Sequence, residues 1–201
     1  MIYISFEVGI IAIKFSLILT CFLISLSTKR YAINKTDAYF LICALSLTVI
    51  ADLYMVLLNN NPPGIFFFCL TQQVYRQRHA GNKFLFASLL STFLVIVFSY
   101  KLNADFLIKL GLIYSCQLIF SALAAIYAFN IYPSPNNYLI LYGILFFLLC
   151  DLNIALCYLF SELSKAFNFI AWFFYLPSQF MLSLSGKSFT YPPGVRRGIK
   201  N

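Results

Sequence analysis

The chain has 201 residues, of which 62% are hydrophobic and only 10% charged. A water-soluble domain of that size cannot hide so much apolar surface, so a lipid bilayer is the expected solvent. The net charge of +8 does not point to nucleic acid, because the basic residues cluster in loops between apolar runs.

Seven apolar segments follow one another, at about 2–27, 38–58, 64–78, 84–100, 105–129, 138–160 and 165–186. Most reach the roughly 20 residues that a helix needs to cross a bilayer. The first carries Glu7 and Lys14 and has no basic leader or A-x-A-like cleavage site, so it is expected to be a retained span. The third is short and turns polar at its end, in "LTQQVYRQRH". Breakers separate the segments, including "NNNPPG", "RQRHAGNK" and "NIYPSPNN". The expected fold is therefore an all-α, polytopic transmembrane bundle of about seven spans over residues 1–187, followed by a short basic tail at 188–201.

Seven spans put the two termini on opposite sides. One side then collects Lys29, Arg30, Lys35, Arg76, Arg78, Lys83, Lys187, Arg196, Arg197 and Lys200, against Lys101, Lys109 and Lys165 on the other. Positive charge is retained in the cytoplasm, so this bias predicts an external N-terminus and a cytoplasmic C-terminus. The expected location is the plasma membrane of a bacterium.

Only six residues are acidic, yet two stand in the middle of apolar runs: Asp52 in "SLTVIADLYMVLL" and Asp151 in "FFLLCDLNIALCYLF". Both spans run outward, and each aspartate lies about 20 Å along its helix, so the two are expected at nearly the same depth. Lys14, Gln72, Gln117 and Gln179 are expected within two or three turns of that layer. A buried carboxylate in lipid is expensive and must face the bundle, find a partner or take up a proton. Lys14 beside one aspartate would separate the pair into an ionised and a neutral carboxyl, which suits general acid–base chemistry. The plainer alternative is that the aspartates join helices through hydrogen bonds.

A weak internal echo accompanies them. "ADLYMVLL" and "CDLNIALC" share D-L-x-x-x-L, and each precedes a span containing Gln, in "TQQVY" and "YLPSQF". Helix pairs related by an axis along the membrane normal would produce such a pattern. Pro177 is expected to kink the last span just before Gln179.

Other chemistries lack their residues. The single histidine, His79, sits in a basic loop that suits a solvated or phosphate-facing role. One histidine supplies neither a zinc site nor a Ser-His-Asp triad, and no metal or cofactor is expected. "SGKS" at 185–188 lacks the earlier glycine of a phosphate-binding loop. The six cysteines fall in apolar runs without a C-x-x-C pair and read as small buried residues.

The motifs taken together resemble the YhhN family of membrane proteins, which includes the lysoplasmalogenases. That family carries a G-D-x-x-L-like motif, a later S-D-x-x-L-A and a final Y-x-x-x-Q. Here "ADLYMVLL" supplies Asp52, "CDLNIAL" supplies Asp151, and "YLPSQ" supplies Tyr175 and Gln179. A family Lys-Pro step is similar to "IKFSL", with Lys14, and a family H-x-x-Y is matched by "QQVY", with Gln72 and Tyr75. Ala51, Cys150 and Phe15 depart from the family's usual Gly, Ser and Pro, and the family usually has eight spans. The resemblance covers about residues 10–186.

The resemblance implies hydrolysis of the vinyl-ether bond of lysoplasmalogens, releasing a fatty aldehyde. Asp52 and Asp151 would be catalytic, while Lys14, Gln72, Tyr75, Tyr175 and Gln179 would bind substrate or tune the site. The implied partners are a lysophospholipid or ether lipid and the surrounding membrane lipids, with no obligate protein partner. A proton- or cation-coupled transporter and a non-catalytic lipid-binding protein are the competing classes.

Overall fold

The computed structural model describes residues 2–32, 34–103 and 105–187; the basic tail expected at 188–201 lies outside the described residues. Seven α-helices and no strands are found among them: α1 (Ile2–Thr28), α2 (Lys35–Asp52), α3 (Asn61–Ala80), α4 (Leu85–Lys101), α5 (Phe106–Ile131), α6 (Pro135–Leu159) and α7 (Ser164–Leu184). Each overlaps one expected apolar segment. Four stretches are long and apolar enough to cross a membrane: Ile11–Tyr31, Lys35–Leu57, Phe106–Ile131 and Pro135–Leu159.

Local chemistry sets the helix ends. Asn34 caps α2 by accepting a hydrogen bond from the Thr36 amide, and Ser134 caps α6 through the Asn137 amide. Pro135 follows Ser134 in the first turn of α6, where its missing N–H costs nothing. Pro62 and Pro63 do the same for α3, which starts earlier and ends later than expected. The run "RQRH" is thus helical, and α3 stops at Gly81, whose φ of +56° favours glycine. At about 1.5 Å per residue, the 20 residues of α3 extend about 30 Å.

The helices form a closed ring in the order α1, α2, α3, α5, α6, α7, with α4 packed outside against α5. The two D-L-x-x-x-L motifs fall on α2 and α6, each the middle helix of one run of three around the ring. Each half contains a close approach at glycine. A Cβ on Gly64 would come within 2.2 Å of Met55 Cγ and 3.1 Å of the Ala51 carbonyl, joining α3 to α2. A Cβ on Gly143 would meet Leu182 Cγ at 2.8 Å, joining α6 to α7.

Many polar side chains turn inward, while the phenylalanines of α4 turn outward. Thr48, Thr71, Gln72, Ser121, Ser178 and Gln179 are fully buried, whereas Phe86, Phe93 and Phe98 project from α4. Such a distribution, with apolar surface facing out, is compatible with a membrane protein. Ile18, Leu41, Leu45, Ile144, Phe147 and Leu182 fill the apolar part of the core. Pro177 lies inside α7, which continues through it to Leu184; its missing N–H leaves the Phe173 carbonyl without a helical donor.

Candidate functional site

Asp52 is the last residue of α2, and the helix widens directly after it into a π-helical turn, Leu53–Leu57. Such turns shift the direction of side chains within a helix and recur at functional sites. Tyr54 in this turn stacks on Phe67 of α3, with ring centroids 5.7 Å apart and planes at 11°. The stack and the Gly64 approach together hold the end of α2 against α3. Asp52 is buried, and its carboxylate accepts a hydrogen bond from the Tyr175 hydroxyl of α7.

Asp151 repeats the arrangement with a different helix. Half-buried on α6, it accepts a hydrogen bond from the Tyr114 hydroxyl of α5. The two carboxyls form no hydrogen bond with each other among the described residues.

A continuous series of rings connects the two tyrosines. Tyr175 meets Phe147 edge-on at 5.7 Å, Phe147 meets Phe68 at 5.8 Å, and Phe68 lies 6.0 Å from Tyr114. These contacts fix both phenols, because an aromatic side chain locked by neighbouring rings loses its alternative rotamers. The result is a pair of carboxyls, each oriented by a phenol from another helix, with the two phenols joined through one wall of aromatic rings.

Lys14 is not beside an aspartate, which corrects the sequence expectation. Its ammonium stands 4.2 Å over the Trp172 ring, and Trp172 packs edge-on against Tyr175 at 5.3 Å. Lys14 thus packs on the indole that supports Tyr175, the partner of Asp52. An amphipathic lysine on an apolar helix finds the face of an indole a favourable partner without needing a buried anion.

Gln72, Tyr75 and Gln179 are all fully buried, and their amide and hydroxyl groups have no hydrogen-bond partner among the described residues. Buried polar groups without protein partners are uncommon, and these three on α3 and α7 make this part of the core chemically distinct. Gln72, Tyr75 and His79 lie at i, i+3 and i+7 on one face of α3, and Tyr75 stacks on His79 at 5.8 Å. His79 is thus in the last turn of α3 with both ring nitrogens buried, not in a solvated loop as expected.

Gln117 belongs to a separate knot. Its carbonyl accepts from Gln73 at 2.9 Å and Ser88 at 3.0 Å, its amide donates to Thr92, and Arg76 donates to Gln73 at 2.8 Å. This network ties α3, α4 and α5 together away from the aspartates, which explains how α4 is held outside the ring. All six cysteines are free, but only Cys21 and Cys150 are buried; Cys43 is exposed, unlike the expectation that all six are buried.

Tyr114 is the functional candidate that sequence reasoning missed. A tyrosine in a membrane span has packing as its ordinary explanation. The signal available was its place in the α5 span, one turn before Gln117 and opposite no carboxylate until the ring order is known. Among the described residues no group of three or more potential metal ligands is found. No protein-family model matches the chain, and neither does any curated protein or solved structure.

Proposed function

We propose that the protein is a membrane-embedded hydrolase that cleaves the vinyl-ether bond of lysoplasmalogen-type lysophospholipids, as the motif resemblance to the YhhN family implies. The observation that carries this reading is the pair of tyrosine-oriented aspartates, Asp52 with Tyr175 and Asp151 with Tyr114, whose phenols are joined through one aromatic wall. Seven spans with an external N-terminus and cytoplasmic C-terminus, in a bacterial plasma membrane, belong to the same proposal and draw on the asymmetry of the basic loops.

The chemistry asks for little more than two carboxyls. A neutral carboxyl gives its proton to the β-carbon of the alkenyl group, and the double bond becomes an oxocarbenium ion. Water adds to the cationic carbon while the second, ionised carboxylate takes up a proton from it. The hemiacetal then collapses to a fatty aldehyde and the glycerol hydroxyl. Asp52 and Asp151 divide the two roles. Tyr114 and Tyr175 act as positioning residues, holding one carboxylate oxygen each so that the other faces the substrate. Gln72, Tyr75 and Gln179 offer donors and acceptors to water or to the glycerol hydroxyl.

The test is turnover of a 1-alkenyl lysophospholipid by the purified protein in deuterated water, with mass spectrometry of the aldehyde. One deuterium at the carbon next to the aldehyde supports protonation of the alkenyl carbon. Ion flux into liposomes without aldehyde release would instead support a transporter and remove the hydrolase reading.

A further inference from the structure

A second polar site lies at the opposite end of α2 from Asp52. There, the first turns of α2 and α6 and the last turns of α3 and α5 enclose a cavity of about 440 Å³, lined by Asp37, Arg78, His79, Lys83, Tyr127 and Asn137 among others. That volume is within the range of about 300–1,000 Å³ typical of small-molecule sites.

The side chains give the cavity a definite chemistry. The Arg78 guanidinium is buried and grips both Asp37 carboxylate oxygens at 2.8 Å, while Nη1 also donates to the Ser185 hydroxyl at 2.9 Å. Arg78 and Asp37 cancel in charge, and one Nη1 hydrogen is left over. Lys83 then supplies the uncompensated positive charge; its ammonium bonds to the Tyr127 hydroxyl and lies 4.4 Å from that ring's centre. Both nitrogens of His79 are buried without a hydrogen-bond partner among the described residues. A neutral imidazole carries one N–H, so a buried donor stands beside a net single positive charge.

We infer that this cavity binds the phosphate group of an anionic ligand, with Lys83 and His79 as its principal donors and the Arg78–Asp37 clamp as its floor. A phosphodiester monoanion matches the single uncompensated charge, and charge-assisted hydrogen bonds from an ammonium and an imidazole suit its oxygens. The site is distinct from the proposed catalytic pair. Fifteen residues of α2 separate Asp37 from Asp52, about 22 Å at helical rise, whereas only the glycerol unit separates phosphate from ether in a lysolipid. A phosphate held here therefore belongs to a different molecule from one cleaved between the aspartates. Its source is either a lipid headgroup or a soluble phosphate ester.

The test uses the full chain purified in a non-ionic detergent and follows its thermal unfolding midpoint. Glycerophosphoglycerol, a soluble phosphodiester, is titrated in one arm, short-chain phosphatidylglycerol in a second and glycerol alone in a third. Saturable stabilisation in the first arm identifies a soluble ester, and in the second alone a lipid headgroup; either supports the site if glycerol has no effect. Lys83→Met and His79→Gln should each weaken that response about tenfold, the loss expected for one charge-assisted contact. Lys101→Met, on a different loop, should leave it unchanged. Lys83 is exposed, so its replacement leaves the fold intact. Absence of stabilisation by both phosphate probes, or an equal response in all three variants and the unaltered protein, overturns the inference.

Discussion

Tyr175 on α7 and Phe147 on α6 meet edge-on at 5.7 Å, and through this contact the phenol bonded to Asp52 is tied to the rings that lead to Tyr114 and Asp151. Two acidic residues 99 positions apart in the sequence (151 − 52) thus share one packing unit. Hydrogen bonding alone would let each carboxylate swing on its own helix. The ring series restricts the rotamers of both phenols and so limits that freedom.

The first expectation concerns the phenols. Tyr175→Phe and Tyr114→Phe each delete a hydrogen bond to an acidic group, a loss of about 1.5–3 kcal/mol when the carboxyl is charged and dry. Asp52 is 3% exposed and Asp151 is half-buried, so Tyr175→Phe should destabilise more. Thermal unfolding in detergent ranks the two. In the hydrolase assay both should lower kcat about tenfold with KM little changed, as positioning residues do, whereas a purely structural role would leave the kcat of the surviving folded fraction intact.

The clamp at the other end of α2 gives an asymmetric expectation. Asp37→Ala leaves the Arg78 guanidinium, whose side chain is 1% exposed, without its carboxylate. An unpaired buried charge costs about 3–5 kcal/mol. Arg78→Met instead leaves Asp37, 34% exposed and able to turn to water, and should cost about 1–2 kcal/mol. Unfolding midpoints of the two variants measure the order, and equal losses would contradict the burial assigned to Arg78.

Gly143 sets the distance between α6 and α7. A side chain there meets Leu182 Cγ at 2.8 Å and approaches the Ser178 carbonyl at 3.4 Å, and the Ser178 hydroxyl already donates to the Gly143 carbonyl at 2.7 Å. Gly143→Val should cost about 1–3 kcal/mol by overpacking and should also lower activity, because moving α7 displaces Tyr175. Leu182→Ala in the same chain should recover part of the stability by making room, which thermal melts of the double variant measure.

Lys14 tests the corrected reading of α1. Since its ammonium rests on Trp172 and not on a carboxylate, Lys14→Met should lose only about 0.5–2 kcal/mol of stability and leave the pH profile of hydrolysis in place. A large change in that profile would restore the direct role first expected from "IKFSL".

Much of the fold was legible because membrane helices announce themselves by composition. Each of the seven apolar segments became one helix, and Asp52 and Asp151 stand in corresponding positions of two halves of the ring. What escaped was set by the ring order. Ring closure brings α7 to α2 and so Tyr175 to Asp52, a pairing of non-adjacent helices that no periodicity encodes. The largely apolar α5 does not show in sequence which of its faces turns Tyr114 toward Asp151 on the neighbouring α6. The π-helical turn after Asp52 likewise sits against tertiary contacts that the local sequence does not show, the close Gly64 approach and the Tyr54–Phe67 stack. The run "RQRH" read as a loop because charge normally marks the water boundary. Arg78 and His79 lie instead in helix, one buried by Asp37 and Ser185 and the other stacked on Tyr75.

The most direct measurement is aldehyde release from a 1-alkenyl lysophospholipid by the purified protein and its Asp52→Asn and Asp151→Asn variants, each checked for an unaltered unfolding midpoint. General acid–base groups contribute about 10²–10⁴-fold to rate, so each folded variant should fall by at least about a hundredfold. Turnover at the unaltered rate in either folded variant would contradict the division of acid and base roles between these two aspartates.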